Sequence, residues 1–266
     1  MGKVYAILSG KGGVGKTTTT INLGVSLNDL GKEVIIVDTN MTTPNVGLHL
    51  GSPIVPITLN HVLRNEAKVE EAIYEHETGT KIIPSSLSIG ELKNMDQNKM
   101  FEVTKKLRKI SDHTLLDSAA GLGDESKSSI EAADEIIIVT NPEITAITDA
   151  LKTIKLVEQM NKKVVGVVVT RYTGKKWEMD LPTIKDMLEV PIIGIIPEDD
   201  SVKESHRMKN AVVMTHPKSK ASRAYKILAK RILNPEGKSK DKNRQDKQIK
   251  EVTGVFSRLA KMLGLR

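Results

Sequence analysis

Two runs of β-branched residues, Ile136-Ile137-Ile138-Val139 and Val164-Val165-Gly166-Val167-Val168-Val169, are apolar at every position rather than at alternate ones. Successive side chains of a strand point to opposite faces, so such runs belong to strands covered on both sides, as in a parallel sheet flanked by helices. Further strand-like runs are Val4 to Ser9, Val34 to Asp38, Lys81 to Pro84, Thr114 to Asp117, Glu135 to Thr140 and Ile192 to Ile196, with helical periodicity between them. The expected architecture is therefore an α/β fold, a doubly wound and mostly parallel sheet with helices on both faces. Ser219 to Leu233 reads as the last helix of a domain spanning residues 1–233, with Ser219 as its N-cap and Asn234-Pro235-Glu236-Gly237 as its stop.

At 266 residues, with 39% hydrophobic residues, one α/β domain can bury about 70 to 75% of its unfolded surface without a staple. The chain has no cysteine, which removes disulfides, iron-sulfur clusters, Cys-type zinc sites and thiol catalysis. The six histidines show no metal-ligand spacing, and Trp177, beside Lys175 and Lys176, reads as exposed surface. No apolar run reaches the roughly 18 residues of a spanning helix, and the first strand starts too early for a signal peptide. Ala6 stands where a myristoylation signal needs Ser or Thr. The expected location is cytoplasmic.

Charge is concentrated at one end. The net charge is +7, and residues 234–266 carry nine Lys/Arg against four Asp/Glu, which accounts for five of those seven charges. A basic tail on a near-neutral body points to an acidic surface engaged by that tail, and nucleic acid is not the expected partner. Residues 234–250 read as a charged, solvated linker. Beyond it, residues 251–266 form a candidate amphipathic helix: Val252, Val255, Phe256, Leu259, Met262 and Leu263 recur at helical spacing, with Arg258, Lys261 and Arg266 on the flanks. Such a helix can lie in an anionic membrane interface, each basic residue adding about 1 kcal/mol. Gly254 costs about 1 kcal/mol of helix propensity, so the helix is expected to form on binding.

The strongest chemical signal follows the first strand. Gly10-Lys11-Gly12-Gly13-Val14-Gly15-Lys16-Thr17 fits GxxxxGK[ST] between a strand and a helix. The glycines let backbone N–H groups turn toward phosphates, and the helix beginning near Thr17 adds its dipole. Lys16 would neutralise the terminal phosphates, Thr17 would offer its hydroxyl to Mg²⁺, and Thr18 completes the phosphate-binding set. Asp117, ending an apolar strand, can orient metal-bound water, and Asp38 ends a neighbouring strand. A carboxylate at a strand end can instead cap the following loop.

Lys11 is a lysine that an ordinary P-loop does not specify, and the KGGVGKT form resembles the deviant Walker A of the MinD/ParA ATPases. The resemblance runs along the chain through Val37-Asp38-Thr39-Asn40, Leu116-Asp117-Ser118, Val139-Thr140-Asn141-Pro142-Glu143, Thr170-Arg171-Tyr172 and Ile196-Pro197-Glu198-Asp199, and is closer to MinD than to ParA. It implies an ATPase using ATP and Mg²⁺, a homodimer sandwiching two nucleotides with Lys11 reaching the partner's phosphates, and adenine near Thr170, Arg171, Pro197, Glu198 and Asp199. It also implies metal-site roles for Asp38 and Asp117, and a C-terminal membrane helix that positions an unidentified protein partner in cell division or another spatial task. The chain departs from the family's Asp-x-Asp pattern at Asn40. An amide can hold the attacking water but cannot take its proton, so weak hydrolysis is expected. Two alternatives stay open: a ParA-like ATPase binding DNA nonspecifically, and a soluble ATP-dependent enzyme such as a ligase or amidotransferase.

Overall fold

The apolar runs become neighbouring strands in the computed structural model, which describes residues 1–52, 54–92, 95–96 and 99–235. Strand β1 (Lys3–Ser9) leads into α1 (Lys16–Asn28) and β2 (Val34–Asp38). Short helices α2 (Val46–His49) and α3 (Leu59–Leu63) precede β3 (Tyr74–Glu75) and β4 (Lys81–Ile83). Next come α4 (Met100–Leu107), β5 (His113–Ala120), α5 (Asp124–Ala132), β6 (Glu135–Thr140), α6 (Ile144–Gln159) and β7 (Lys163–Tyr172). The described chain closes with α7 (Leu181–Leu188), β8 (Ile192–Pro197), α8 (Asp200–Arg207), α9 (Val212–Thr215) and α10 (Lys220–Leu233).

The strands form one sheet in the order β3-β4-β2-β5-β1-β6-β7-β8. All neighbours pair parallel except β3 with β4, which pair antiparallel at the edge. Every residue of β2 is buried, as are the last five of β6. Because alternate side chains face opposite ways, both sides of the sheet are covered, as the unbroken Ile and Val runs required. Ile136, Ile137, Ile138 and Val139 are fully buried, each stabilising the fold by about 1.5 to 3 kcal/mol relative to exposure.

All seven expected strands are present, some with longer ends. The eighth, β3, has two residues, too few to carry a period. Ser219 caps α10, its Oγ accepting from the Ser222 N–H at 3.1 Å.

The strand order positions the site. The chain leaves β1 for β2 on one side, returns through β5, and continues outward to β6, β7 and β8 on the other. The order thus reverses around β1, and ligands of such sheets bind beyond the strand C-termini at this point.

The chain divides into one unit, Met1–Lys230, and a second, Arg231–Arg266. Only residues 231–235 of the latter are described. The expected linker beyond Pro235 and the membrane helix, with Val255, Phe256, Arg258, Leu259, Lys261, Met262 and Leu263, lie outside the described residues. Among the described residues, no helix is long and apolar enough to cross a membrane.

Candidate nucleotide site

The end of β1 and the start of α1 are joined by the glycine loop, and two features make its backbone possible. Gly15 has φ +88° and forms the N-terminal cap of α1 in the left-handed region, where a side chain is strained. Gly10 lies against α6 so closely that a Cβ would fall 2.3 Å from the Asp149 carbonyl. Around Gly12, by contrast, a Cβ would meet nothing within 4 Å. The loop is therefore clamped at its ends and open at its crown.

Beneath the loop the expected charged groups converge. Lys16 Nζ lies 3.0 Å from Asp117 Oδ1, with the lysine side chain 8% exposed and the carboxylate fully buried. Thr17 Oγ1 donates to Asp117 Oδ2 at 2.6 Å. Thr20 Oγ1 shares its single proton between Asp117 Oδ1, at 3.1 Å, and the Lys16 carbonyl, at 3.0 Å. Thr20 was not among the expected site residues, although the run Thr17 to Thr20 puts it one turn after Lys16, on the same helix face. The polar inner face of α1 is unusual for a buried helix, and several of its residues are paired while the Ser26 hydroxyl is not. Thr19 Oγ1 meets Tyr225 OH at 3.4 Å, and Asn22 accepts the Val213 N–H at 3.1 Å while donating to the Thr18 carbonyl.

Register brings the second carboxylate alongside. Asp117 is opposite Ile7 of β1 on one side and Asp38 of β2 on the other. Burial pushes the Asp38 carboxyl up to about 7, the charge of Asp117 adding to the effect against the N–H groups of Val46 and Asn45 and the charge of Lys16. Asp38 accepts three backbone N–H groups, from Asn40 at 3.1 Å, Asn45 at 2.8 Å and Val46 at 2.9 Å. These bonds anchor the loop that follows β2 and the start of α2.

Asn40 is engaged within that loop. Its Nδ2 donates to the Thr43 carbonyl at 2.6 Å, and its Oδ1 accepts from Thr43 Oγ1 at 3.0 Å. Thr42 ties the same loop to α5, its hydroxyl donating to Glu125 Oε1 at 2.6 Å.

Lys11 is exposed and folds onto the start of α6, with Nζ 3.3 Å from Thr145 Oγ1 and 3.6 Å from Glu143 Oε2. The residues expected near a base occupy three different settings. Thr170 is buried under the loop, its single hydroxyl proton shared between the Val14 carbonyl at 2.6 Å and the Thr140 carbonyl at 3.0 Å. Arg171 is exposed and lines, with Asn141, Glu143 and Trp177, a cleft of about 520 Å³. Pro197 ends β8 opposite Tyr172, and the Glu198 carboxylate lies 3.5 Å from Lys203. Asp199 accepts from the Ser201 and Ala221 N–H groups, both at 3.0 Å, so one carboxylate caps α8 and holds the start of α10. Thr18 Oγ1 lies 3.2 Å from Nε2 of His206, a residue that the sequence alone did not single out.

The donor set fits a phosphate chain with a hard divalent cation. An open glycine crown, a buried ammonium, and a hydroxyl beside a carboxylate supply the groups that phosphate and Mg²⁺ require.

The AAA domain family matches residues 2–166. The family of 4Fe-4S iron sulfur cluster binding proteins, NifH/frxC, matches residues 126–258, although this chain has no cysteine to ligate a cluster. An ATP-binding protein of Methanocaldococcus jannaschii is 34% identical over 97% of this chain and 98% of its own. The septum site-determining protein MinD of Bacillus subtilis is 31% identical, with all of both chains covered. The structure of MinD from Pyrococcus horikoshii complexed with Mg-ADP superposes with a TM-score of 0.85 at 35% identity, covering 90% of this chain and 100% of that one. Sheet order, loop chemistry and full-length similarity agree, and the chain belongs to the MinD/ParA family of P-loop ATPases.

Proposed function

We propose that this protein is a MinD-like switch that binds ATP with Mg²⁺, dimerises around two nucleotides and then holds to a membrane through residues 251–266. The observation that carries the reading is the convergence of Lys16, Thr17 and Asp117 under a loop whose second residue is Lys11.

The backbone of Gly10 to Gly15 receives the phosphates, and Lys16 leaves Asp117 to meet their negative charge. Thr17 and Asp117 hold the Mg²⁺ side, directly or through water, and Asp38 keeps the adjoining loop in place. A bound Mg²⁺ neutralises charge that builds on the phosphate oxygens during transfer. Thr170, Arg171, Pro197, Glu198 and Asp199 shape the end of the site where the base lies. Lys11 exchanges Glu143 and Thr145 for the phosphates of a second copy. Asn40 orients water without accepting its proton, so the ATP state is long-lived.

Membrane residence follows from the dimer. One amphipathic helix binds marginally, but in a dimer the second contact becomes intramolecular and avidity rises about 100-fold or more. The protein then positions a protein partner at the membrane, in division or another spatial task.

Sedimentation with anionic liposomes tests this, comparing the full chain with a version ending at Lys250, in ATP-Mg²⁺ and in ADP, with free DNA as competitor. Pelleting of the full chain alone, mainly with ATP, supports the reading. Pelleting that ignores nucleotide and truncation, or salt-sensitive DNA binding by the body of the protein, overturns it.

A further inference from the structure

His206 is in the last turn of α8, yet its ring meets two parts of the site. Its Nε2 lies 3.2 Å from Thr18 Oγ1 in the first turn of α1, across 188 residues of sequence. Its face or edge also meets His49, with ring centroids 4.7 Å apart and planes at 88°. His49 ends α2, whose start is fixed by Asp38 through the Asn45 and Val46 N–H groups. The imidazole is thus held from two directions. Burial, followed by the repulsion of His49 and Arg171, lowers its pKa to about 4, so it is neutral near pH 7.

A neutral imidazole has one N–H and one bare nitrogen, and the choice between them decides what Thr18 can do. If Thr18 gave its proton to Nε2, its hydroxyl would have no donor left for a ligand. If Nε2–H donates to Oγ1, the hydroxyl proton is free to point at an anionic oxygen. Thr18 is in the first turn of α1, where backbone N–H groups have no partner inside the helix and face the glycine loop.

We propose that His206 is a nucleotide-positioning residue: it donates to Thr18 Oγ1 and thereby turns the Thr18 proton toward a phosphate oxygen of the bound nucleotide. The proposal rests on the nucleotide-binding reading above. His206 acts through Thr18 and does not touch the reacting atoms. A motif search cannot find it, because the histidine contributes one contact from a different part of the chain.

Titrating the full chain with a fluorescent ADP analogue in Mg²⁺ at pH 8 tests the proposal in Thr18→Val, His206→Ala, His206→Gln and the Thr18→Val/His206→Ala double variant. Thr18→Val and His206→Ala are each expected to weaken binding about tenfold, the size of one charge-assisted hydrogen bond. The double variant is expected to stay within twofold of Thr18→Val alone, since the second change removes a donor with nothing left to orient. His206→Gln, whose amide can donate at the same place, is expected to bind within about threefold of the wild type. Additive losses in the double variant, wild-type binding by His206→Ala, or no recovery in His206→Gln would each overturn it. If His206→Ala does not fold, His206→Asn, with an amide too short for the contact, takes its place with the same expectations. A wild-type chain that binds no ADP overturns the nucleotide reading itself, and this proposal with it.

Discussion

Lys16 and Asp117 are each other's counter-ion, 3.0 Å apart and buried at the junction of α1 and β5. Removing one partner of a buried pair strands the other charge, which costs about 3 to 5 kcal/mol, whereas neutralising both costs far less. Lys16→Met is therefore expected to lower stability by about that amount and to abolish nucleotide binding. Adding Asp117→Asn to Lys16→Met is expected to recover most of the stability and none of the binding. Urea unfolding of the two variants checks this, and equal midpoints would show that the pair is not what holds the junction.

The clamped start and the open crown of the glycine loop should respond differently to a single methyl group. Gly10→Ala puts a carbon 2.3 Å from the Asp149 carbonyl, so loop and α6 must separate and the unfolding temperature should fall by several degrees, for about 1 to 3 kcal/mol of overpacking. Gly12→Ala meets no atom within 4 Å and should melt like the wild type while losing nucleotide affinity, because its methyl occupies ligand space. Calorimetry with and without ADP separates the two.

Asn40 limits turnover if the family's second switch carboxylate is what this chain lacks. Steady-state hydrolysis is expected below about 1 per second, and Asn40→Asp should raise it at least tenfold by supplying a proton acceptor. The same change removes the Nδ2 donation to the Thr43 carbonyl and places a charge beside Asp38. Stability should therefore fall by about 1 kcal/mol. A variant that binds ATP but turns over at the wild-type rate would assign the slow step elsewhere.

His206 predicts a pH dependence with a definite sign. Its folded pKa, about 4, lies below the ordinary 6.5 because of burial and the charges of His49 and Arg171. Between those values the unfolded chain takes up a proton that the folded chain refuses, so stability falls as pH falls. The contribution of the neutral ring is complete above about pH 6.5 and is lost as the pH drops toward about 4. The midpoint of wild type should decline more steeply than that of His206→Gln between pH 6.5 and 5, and parallel curves would contradict it.

What the sequence disclosed, and what it did not, follows from the range of each interaction. Strands such as Val34–Asp38 and Glu135–Thr140 announce themselves because all of the first and the last five residues of the second are buried. Lys16 and Thr17 were legible because a loop that holds phosphate restricts residue type at fixed spacing, and Asp117 because it is a lone carboxylate at the end of an apolar run. The bracket between Asn40 and Thr43 was not, since a side-chain amide bonding three residues on leaves no pattern beyond a polar loop. Asp199 shows the same limit: its position after β8 matches a family segment, but only the fold reveals that its two oxygens cap separate helices. His206 lay further out of reach, because nothing near it in sequence marks Thr18 as its neighbour.

The facing of Asp38 and Asp117 across β2 and β5 makes the ligand a judge of strand pairing. A slip of one residue would put Leu116 or Ser118 where Asp117 belongs and turn the carboxylate to the opposite side of the sheet. A misregistered chain would then lack the carboxylate on the Mg²⁺ side of the site and the counter-ion of Lys16. A nucleotide that binds only the correctly paired sheet would by mass action draw the population toward it. A bound nucleotide would thus proofread the fold as well as occupy the site.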